Sequence, residues 1–375
     1  MPANLQRFRF PIGQSRGRRY SEAGHPFRSA FQRDRDRIVH ARAFRRLENK
    51  TQVFSPGLSD HFRNRLTHTI EVAQLARTAA RALQLDEDLT EALALAHDIG
   101  HPPFAHAGEE ELNARMQSLG DRFEHNIHAL RIVESFEHRY AAHPGLNLTF
   151  EVREGIVKHS REIRPGEFPE LDEYLPGFRP PLEAQLIDPA DEIAYNTADL
   201  DDGYSAGLLS VEDAAHAVPQ YGEIVARIDS VYPEAPERVR FLESIRSLID
   251  FLVAALIEGS LQAVERSGAE TLDDIRGHSS RLIQFTSEAR RTSEQLKSFL
   301  YRMVYDTPVL REERRRSCEL IGRLFMHYMD HPECLPDPYA RLAAAAPRHR
   351  VVCDYIAGMT DNFLLRTSQA LLGHG

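Results

Sequence analysis

His97-Asp98-Ile99-Gly100-His101-Pro102-Pro103-Phe104-Ala105-His106-Ala107-Gly108-Glu109 is the stretch on which the fold turns. Just upstream, Leu89-Thr90-Glu91-Ala92-Leu93-Ala94-Leu95-Ala96 is almost wholly apolar, which predicts a buried helix ending at the His-Asp pair. Desolvating an imidazole and a carboxylate side by side is costly, and a bound cation satisfies both groups at once. Gly100 ends that helix, and Pro102-Pro103 keeps it from resuming before a second one starts near Ala105. On the second helix His106 and Glu109 stand at i and i+3, hence on one face. The turn thus collects three imidazoles and two carboxylates. Buried polar groups are normally few, so a metal site accounts for this cluster better than histidines that merely cap a turn.

Helical periodicity extends outward in both directions. A helical pattern begins at Arg33 and runs through Ile38, Phe44 and Leu47, after an irregular basic arm over residues 1–30. Thr51-Gln52-Val53-Phe54, closed by Ser55-Pro56-Gly57, reads as a short extended piece and a turn. Arg65 to Leu83 reads as one helix, with His68 on the stripe of Val72, Leu75 and Ala79. A lone histidine there is usually a hydrogen-bonded core residue; upstream of a crowded metal candidate it is also a candidate ligand.

Downstream, Phe123-Glu124-His125-Asn126 opens a helix expected to reach about Tyr140, with His125 near its start. His128, His138 and His143 read as surface or packing residues. Phe150 to His159 is a shorter helix, and five prolines between Arg161 and Pro181 break the chain into loop. Leu182 to about Leu200 is a long helix buried through Leu186, Ile187, Ala190, Ile193 and Ala194. Asp191, Tyr195 and Asp199 follow one another at four-residue spacing, a pattern that fits a solvated stripe as well as a site. Amphipathic runs follow near Phe241–Val264, Arg281–Arg302, Glu312–Met329 and Arg350–Leu372. No strand-rich region, internal repeat or glycine-rich phosphate loop interrupts them. The expected fold is all-α.

Composition sets the outer bounds. A chain of 375 residues buries a large core, and a net charge of −10 argues against wholesale nucleic-acid binding. The charge is uneven, because Arg7 to Arg46 is strongly basic and reads as a local surface for phosphates or as a solvated face. The Arg-rich N-terminus lacks the apolar core of a signal peptide, and no apolar run is expected to span a membrane. Cys318, Cys334 and Cys353 are scattered and odd in number, as in a cytoplasmic protein with reduced thiols.

Four ligand candidates emerge: His68, His97, Asp98 and Asp191. Two imidazoles and two carboxylates suit Mn, Fe, Co, Ni or Zn and, less comfortably, Mg. His106 and Glu109 have the types and spacing of a general acid–base pair.

With these residues in view, the H…HD…D pattern resembles the HD-domain phosphohydrolase superfamily. The likeness narrows further. Thr51-Gln52-Val53-Phe54, Arg65-Leu66-Thr67-His68, the stretch His97 to His106, Phe123-Glu124-His125-Asn126, Asp191-Glu192-Ile193-Ala194-Tyr195 and the tail from Arg350 to Asp361 resemble the bacterial deoxyguanosinetriphosphate triphosphohydrolase (dGTPase)-like family. The resemblance implies an HD-type core over residues 31–270 and a C-terminal helical, phosphohydrolase-associated region over residues 271–375. It implies a metal-dependent enzyme that removes the whole triphosphate from a dNTP, giving a deoxynucleoside and tripolyphosphate.

Roles follow from the same resemblance. His68, His97, Asp98 and Asp191 match the metal ligands. His106 and Glu109 match the catalytic pair, with His101 beside them and His125 as a further active-site histidine that some members lack. Arg65 matches a phosphate-binding arginine, Gln52 and Asp199 match groups on the sugar 3′-hydroxyl, and Tyr195 closes over the sugar. Glu192 departs from the pattern, standing where mammalian relatives have a phosphate-binding lysine. Implied partners are deoxynucleoside triphosphates, a homo-oligomeric copy and a nucleotide or nucleic-acid effector. The alternatives are an HD hydrolase of nucleoside monophosphates, cyclic dinucleotides or guanosine polyphosphates, or a nucleotide-sensing or nucleic-acid-binding oligomer with vestigial activity.

Overall fold

Helices account for the secondary structure, as the periodicity predicts. The computed structural model describes residues 4–52 and 63–373; Val53, Phe54 and the Ser55-Pro56-Gly57 turn lie outside them. Among the described residues there is no strand or sheet, only two isolated bridges, Arg18–Thr149 and Thr51–Asn64. The protein is all-α. Two compact units are present, each assembled from three separate stretches of chain.

The first unit comprises Met1–Arg35, His68–Leu95 and Thr149–Thr307. Its spine is the 31-residue helix Glu237–Ser267, packed against the helices Pro219–Val231, Ile187–Ser205 and Ser287–Leu300. Phe241, Leu248, Leu252 and Leu256 are buried along it, each contributing about 1.5–3 kcal/mol of hydrophobic stabilisation. Contrary to the sequence expectation, this helix is long and apolar enough to cross a membrane by length and composition. Half of its apolar window is buried inside the protein.

The N-terminal arm also differs from expectation. Gln6–Phe8 and Ile12–Gln14 form short 3₁₀ turns, Leu5, Phe8 and Phe10 are buried, and the Leu5 amide donates to the Leu83 carbonyl at 2.9 Å. Three of its arginines form ion pairs within the unit, Arg9 with Asp86, Arg18 with Asp34 and Arg19 with Glu173, and just beyond it Arg33 pairs with Glu22. Part of the basic run is therefore neutralised locally. The long helix expected from Leu182 is split into Leu182–Gln185 and Ile187–Ser205. Pro189 has no amide to give the Gln185 carbonyl, which interrupts the ladder there.

Asp36–Thr67, Ala96–Leu148 and Pro308–Gly375 make the second unit. Helix Ala105–Gln117 packs against Pro308–Asp330 and Arg348–Ala357 through Leu112, Met116, Ile321, Leu324, Phe325, Val352 and Ile356. The C-terminal helices thus share one core with the helix that carries His106 and Glu109. The helix expected to run to Tyr140 ends earlier, as His125–Arg131 followed by a π-turn over Ile132–Phe136. There the chain doubles back: the Leu146 amide donates to the Val133 carbonyl at 2.6 Å. The pattern from Arg33 breaks at Ala41, whose backbone is extended, into helices Ala30–Val39 and Arg42–Arg46. The run from Arg350 breaks at Gly358-Met359-Thr360, where Thr360 caps helix Asp361–Leu372.

Candidate active site

Gly100 is what lets the second unit's site close. A Cβ at this position would lie 2.0 Å from the His125 carbonyl oxygen and 2.5 Å from the Ala129 nitrogen. Only glycine admits helix His125–Arg131 so near the His97–His101 turn. His128, on that helix, points Nδ1 at the Gly100 carbonyl at 2.9 Å. Burial pushes its imidazole down to about 3, so the ring is neutral and serves packing and the hydrogen bond to Gly100.

Asp98 is the charge centre of the turn. Arg65 donates to its Oδ2 at 2.6 Å, His101 Nε2 lies 3.1 Å from its Oδ1, and His97 Nε2 is 3.6 Å from Oδ2. All four residues are buried. Burial alone would raise the Asp98 carboxyl, but Arg65, His97 and His101 together hold it well below the usual carboxylate range. Burial, then the Arg65 charge, pushes the His101 imidazole well below its ordinary value, so that ring is neutral. Arg65 Nε has no hydrogen-bond partner among the described residues.

Glu109 anchors a second group. Its Oε1 accepts the His125 amide at 2.9 Å and lies 2.8 Å from His125 Nδ1, while its Oε2 is 3.9 Å from His106 Nδ1. The Glu109 carboxylate therefore orients His125 directly and His106 more loosely. Burial raises this carboxyl, yet its interactions with His106 and His125 outweigh that and hold the group far below its ordinary value. The His125 ring stacks on His101 with centroids 3.9 Å apart, and His106 meets His101 edge-on at 5.7 Å. His106 is the open member: its side chain is 73% exposed against 5% for His101. His101, Glu109 and His125 each bring one ligand-type atom within 4.8 Å of the others.

His68, Asp191, Tyr195 and Asp199 lie in the first unit, on helices Arg65–Leu83 and Ile187–Ser205. His68 Nε2 stands 2.8 Å from Asp191 Oδ1. The Asp191, Tyr195, Asp199 stripe is not a solvated face. Asp199 is buried and accepts a hydrogen bond from the Tyr305 hydroxyl, and the Tyr305 ring stacks on Tyr195 at 5.9 Å. Burial, then the Asp199 charge, raises both phenols, so both remain protonated donors. Glu192 accepts from the Ser293 hydroxyl, which also takes the Asn196 side-chain amide at 2.8 Å. Its carboxylate is engaged in helix packing rather than standing in for a phosphate-binding cation. Gln52, in the second unit, has its side-chain oxygen buried with no hydrogen-bond partner among the described residues.

Sequence reasoning passed over two neighbours of this stripe. His159 Nδ1 lies 2.7 Å from Asp188 Oδ1, and its Nε2 lies 4.0 Å from Asp191 Oδ2. Arg281 in turn pairs with Asp188. Asp188 is held below the usual range because His159, then Arg281, outweigh its burial. Neither His159 nor Tyr305 carries a local signal, since each meets its partner only through packing.

Residues 65–196 match the HD domain and residues 283–370 match the phosphohydrolase-associated domain. Over 364 residues the chain is 44% identical to a deoxyguanosinetriphosphate triphosphohydrolase-like protein of Geobacter metallireducens, covering 97% of this chain and 94% of that one. A Bordetella pertussis protein of the same description is 42% identical over 369 residues, covering 96% and 94%. One from Caulobacter vibrioides is 41% identical over 371 residues, with the same coverage. The chain belongs to the deoxyguanosinetriphosphate triphosphohydrolase-like family.

HD-domain phosphohydrolases of this family are hydrolases that bind divalent metals, and the matched HD segment contains His68, His97, Asp98 and Asp191. The residues present fit such an ion. His68 and Asp191 bring a nitrogen and an oxygen donor to 2.8 Å, and His97 and Asp98 are a buried imidazole–carboxylate pair. That N/O donor chemistry is what first-row divalent ions take.

Proposed function

We propose that the protein is a metal-dependent dNTP triphosphohydrolase, acting on dGTP or several dNTPs. The reading rests on one observation above all. The HD ligand residues stand in their matched segment, and Glu109, on the helix that follows the HD turn, holds the His125 ring that stacks on His101, an arrangement suited to acid–base chemistry. His68, His97, Asp98 and Asp191 would hold the divalent ion, Mn, Mg, Co, Fe, Ni or Zn. When bound, such an ion offsets phosphoryl charge and lowers the pKa of water.

The chain's own residues do the rest. Water attacks the α-phosphorus; a P–O bond forms and the bond from phosphorus to the 5′-oxygen breaks, giving deoxynucleoside and tripolyphosphate. His125, oriented by Glu109, accepts the proton from water, and the exposed His106 delivers one to the leaving 5′-oxygen. Arg65 offsets phosphate charge. Gln52 and Asp199 hold the 3′-hydroxyl, with Tyr305 keeping Asp199 in place, and the Tyr195 ring excludes a 2′-hydroxyl. An analogue lacking the 3′-hydroxyl would leave buried polar groups unpaired and be rejected.

Chromatographic product analysis on a panel of dNTPs and NTPs with Mg, Mn or Co tests the assignment. Deoxynucleoside and tripolyphosphate in equal amounts are expected. Release of orthophosphate or pyrophosphate instead, or turnover only of monophosphates or cyclic dinucleotides, would replace this reading with another HD hydrolase activity.

A further inference from the structure

Two consecutive non-glycine residues, Phe104 and Ala105, take left-handed backbone conformations, with φ of 60° and 54°, immediately before His106. A Cβ disfavours that region for both, so the turn holds only where its surroundings impose it. The constraint comes from far along the chain. Asp361, at the start of helix Asp361–Leu372 and 4% exposed, accepts the Phe104 amide on Oδ1 at 3.0 Å. Its other oxygen, Oδ2, accepts the Thr51 amide at 2.7 Å and the Thr51 hydroxyl. Beside it, the buried Lys50 Nζ donates to the carbonyl of His101 and to that of Ala357 at 3.2 Å. Gly108 completes the fit, since a Cβ there would lie 2.0 Å from the Pro103 carbonyl oxygen.

We infer that Asp361 is a positioning residue: one carboxylate from the phosphohydrolase-associated region ties the segment carrying Gln52 to the turn that aims His106. Its two oxygens each serve a different segment, and no carboxylate elsewhere in the turn accepts the Phe104 amide. The associated region is therefore part of the active-site scaffold, which accounts for its sharing a core with helix Ala105–Gln117. As far as it concerns catalysis, the inference rests on the proposed triphosphohydrolase function.

Asp361→Asn in the full chain tests it, because an amide cannot accept on both sides. Hydrogen exchange should accelerate in peptides covering residues 50–52 and 101–106. Turnover of the best dNTP should fall roughly 10–100-fold, as a catalytic group shifts from its productive position. Preference for dNTPs over 2′,3′-dideoxynucleotides should narrow, and metal content should stay as in the wild type. Adding Ala105→Gly, which relieves the left-handed strain, should restore part of the lost turnover. Asp354→Asn, which weakens the Arg131 pair in the same C-terminal region, should leave exchange at residues 101–106 and the dideoxy preference unchanged. Wild-type exchange and turnover in Asp361→Asn, or the same changes in Asp354→Asn, would overturn the inference. Should Asp361→Asn not fold, Thr51→Val should still speed exchange at residues 50–52 and narrow the dideoxy preference, and failure of both would overturn it. A wild type inert toward dNTPs would refute the proposed function alone, since exchange reads the tie directly.

Discussion

Glu183 offers a sharp test of how the first unit is held together. The side chain is fully buried, its Oε1 accepts the Phe10 amide at 2.8 Å and the Asp86 amide at 3.1 Å, and its Oε2 has no partner among the described residues. It thereby joins the N-terminal arm to the start of helix Glu87–Ala96. Burial pushes the carboxyl from 4.5 up to about 7, despite the backbone amides that lower it. Because the folded value is raised, its stabilising contribution is complete below 4.5 and is lost as pH rises through 7. A displacement of that size corresponds to about 3 kcal/mol between the protonation states. Glu183→Gln keeps the Oε1 acceptor and cannot ionise, at the expense of an unsatisfied amide worth about 1–2 kcal/mol. The variant should therefore match or fall below the wild type at pH 5 and exceed it by about 1–2 kcal/mol at pH 8. Denaturant midpoints at the two pH values measure the crossing. Parallel pH profiles for both proteins would refute the claim that Glu183 is a buried acid with a raised pKa.

Other outcomes follow from the site. His106→Ala should lower kcat roughly 10²–10⁴-fold with KM, metal content and thermal midpoint little changed; near-normal kcat would remove its catalytic role. Asp191→Ala should lose bound metal by elemental analysis along with activity, and wild-type metal content would remove Asp191 from the ligand set. His159→Ala should lower metal affinity about 10–100-fold, the usual effect of losing a residue that orients a ligand, and unchanged affinity in a metal titration would make His159 a packing residue. Val231, Tyr232, Val239 and Leu242 are exposed on and between helices Pro219–Val231 and Glu237–Ser267, so a homo-oligomer is expected in sedimentation at micromolar concentration. A fully active monomer would count against it.

The features that could be read from the sequence are those encoded within a few residues of one another. Helix Arg65–Leu83 was delimited by its periodicity alone, and the helix restart at Ala105 by the two prolines before it. The four-residue spacing that lines up Asp191, Tyr195 and Asp199 is likewise a property of a single helix. Spacing along one element shows which side chains share a face, but not what that face meets. Only the tertiary structure decided that Glu109 grips His125 more closely than His106, because that choice depends on Gly100 admitting a second helix. Packing likewise placed Tyr305 on Asp199 and His159 on Asp188, and buried Phe8 and Phe10 of an arm whose composition reads only as irregular and basic. Asp361 is the clearest case. Its partners Thr51 and Phe104 lie 310 and 257 residues away in sequence, and only the shared core of the second unit brings one carboxylate within reach of both.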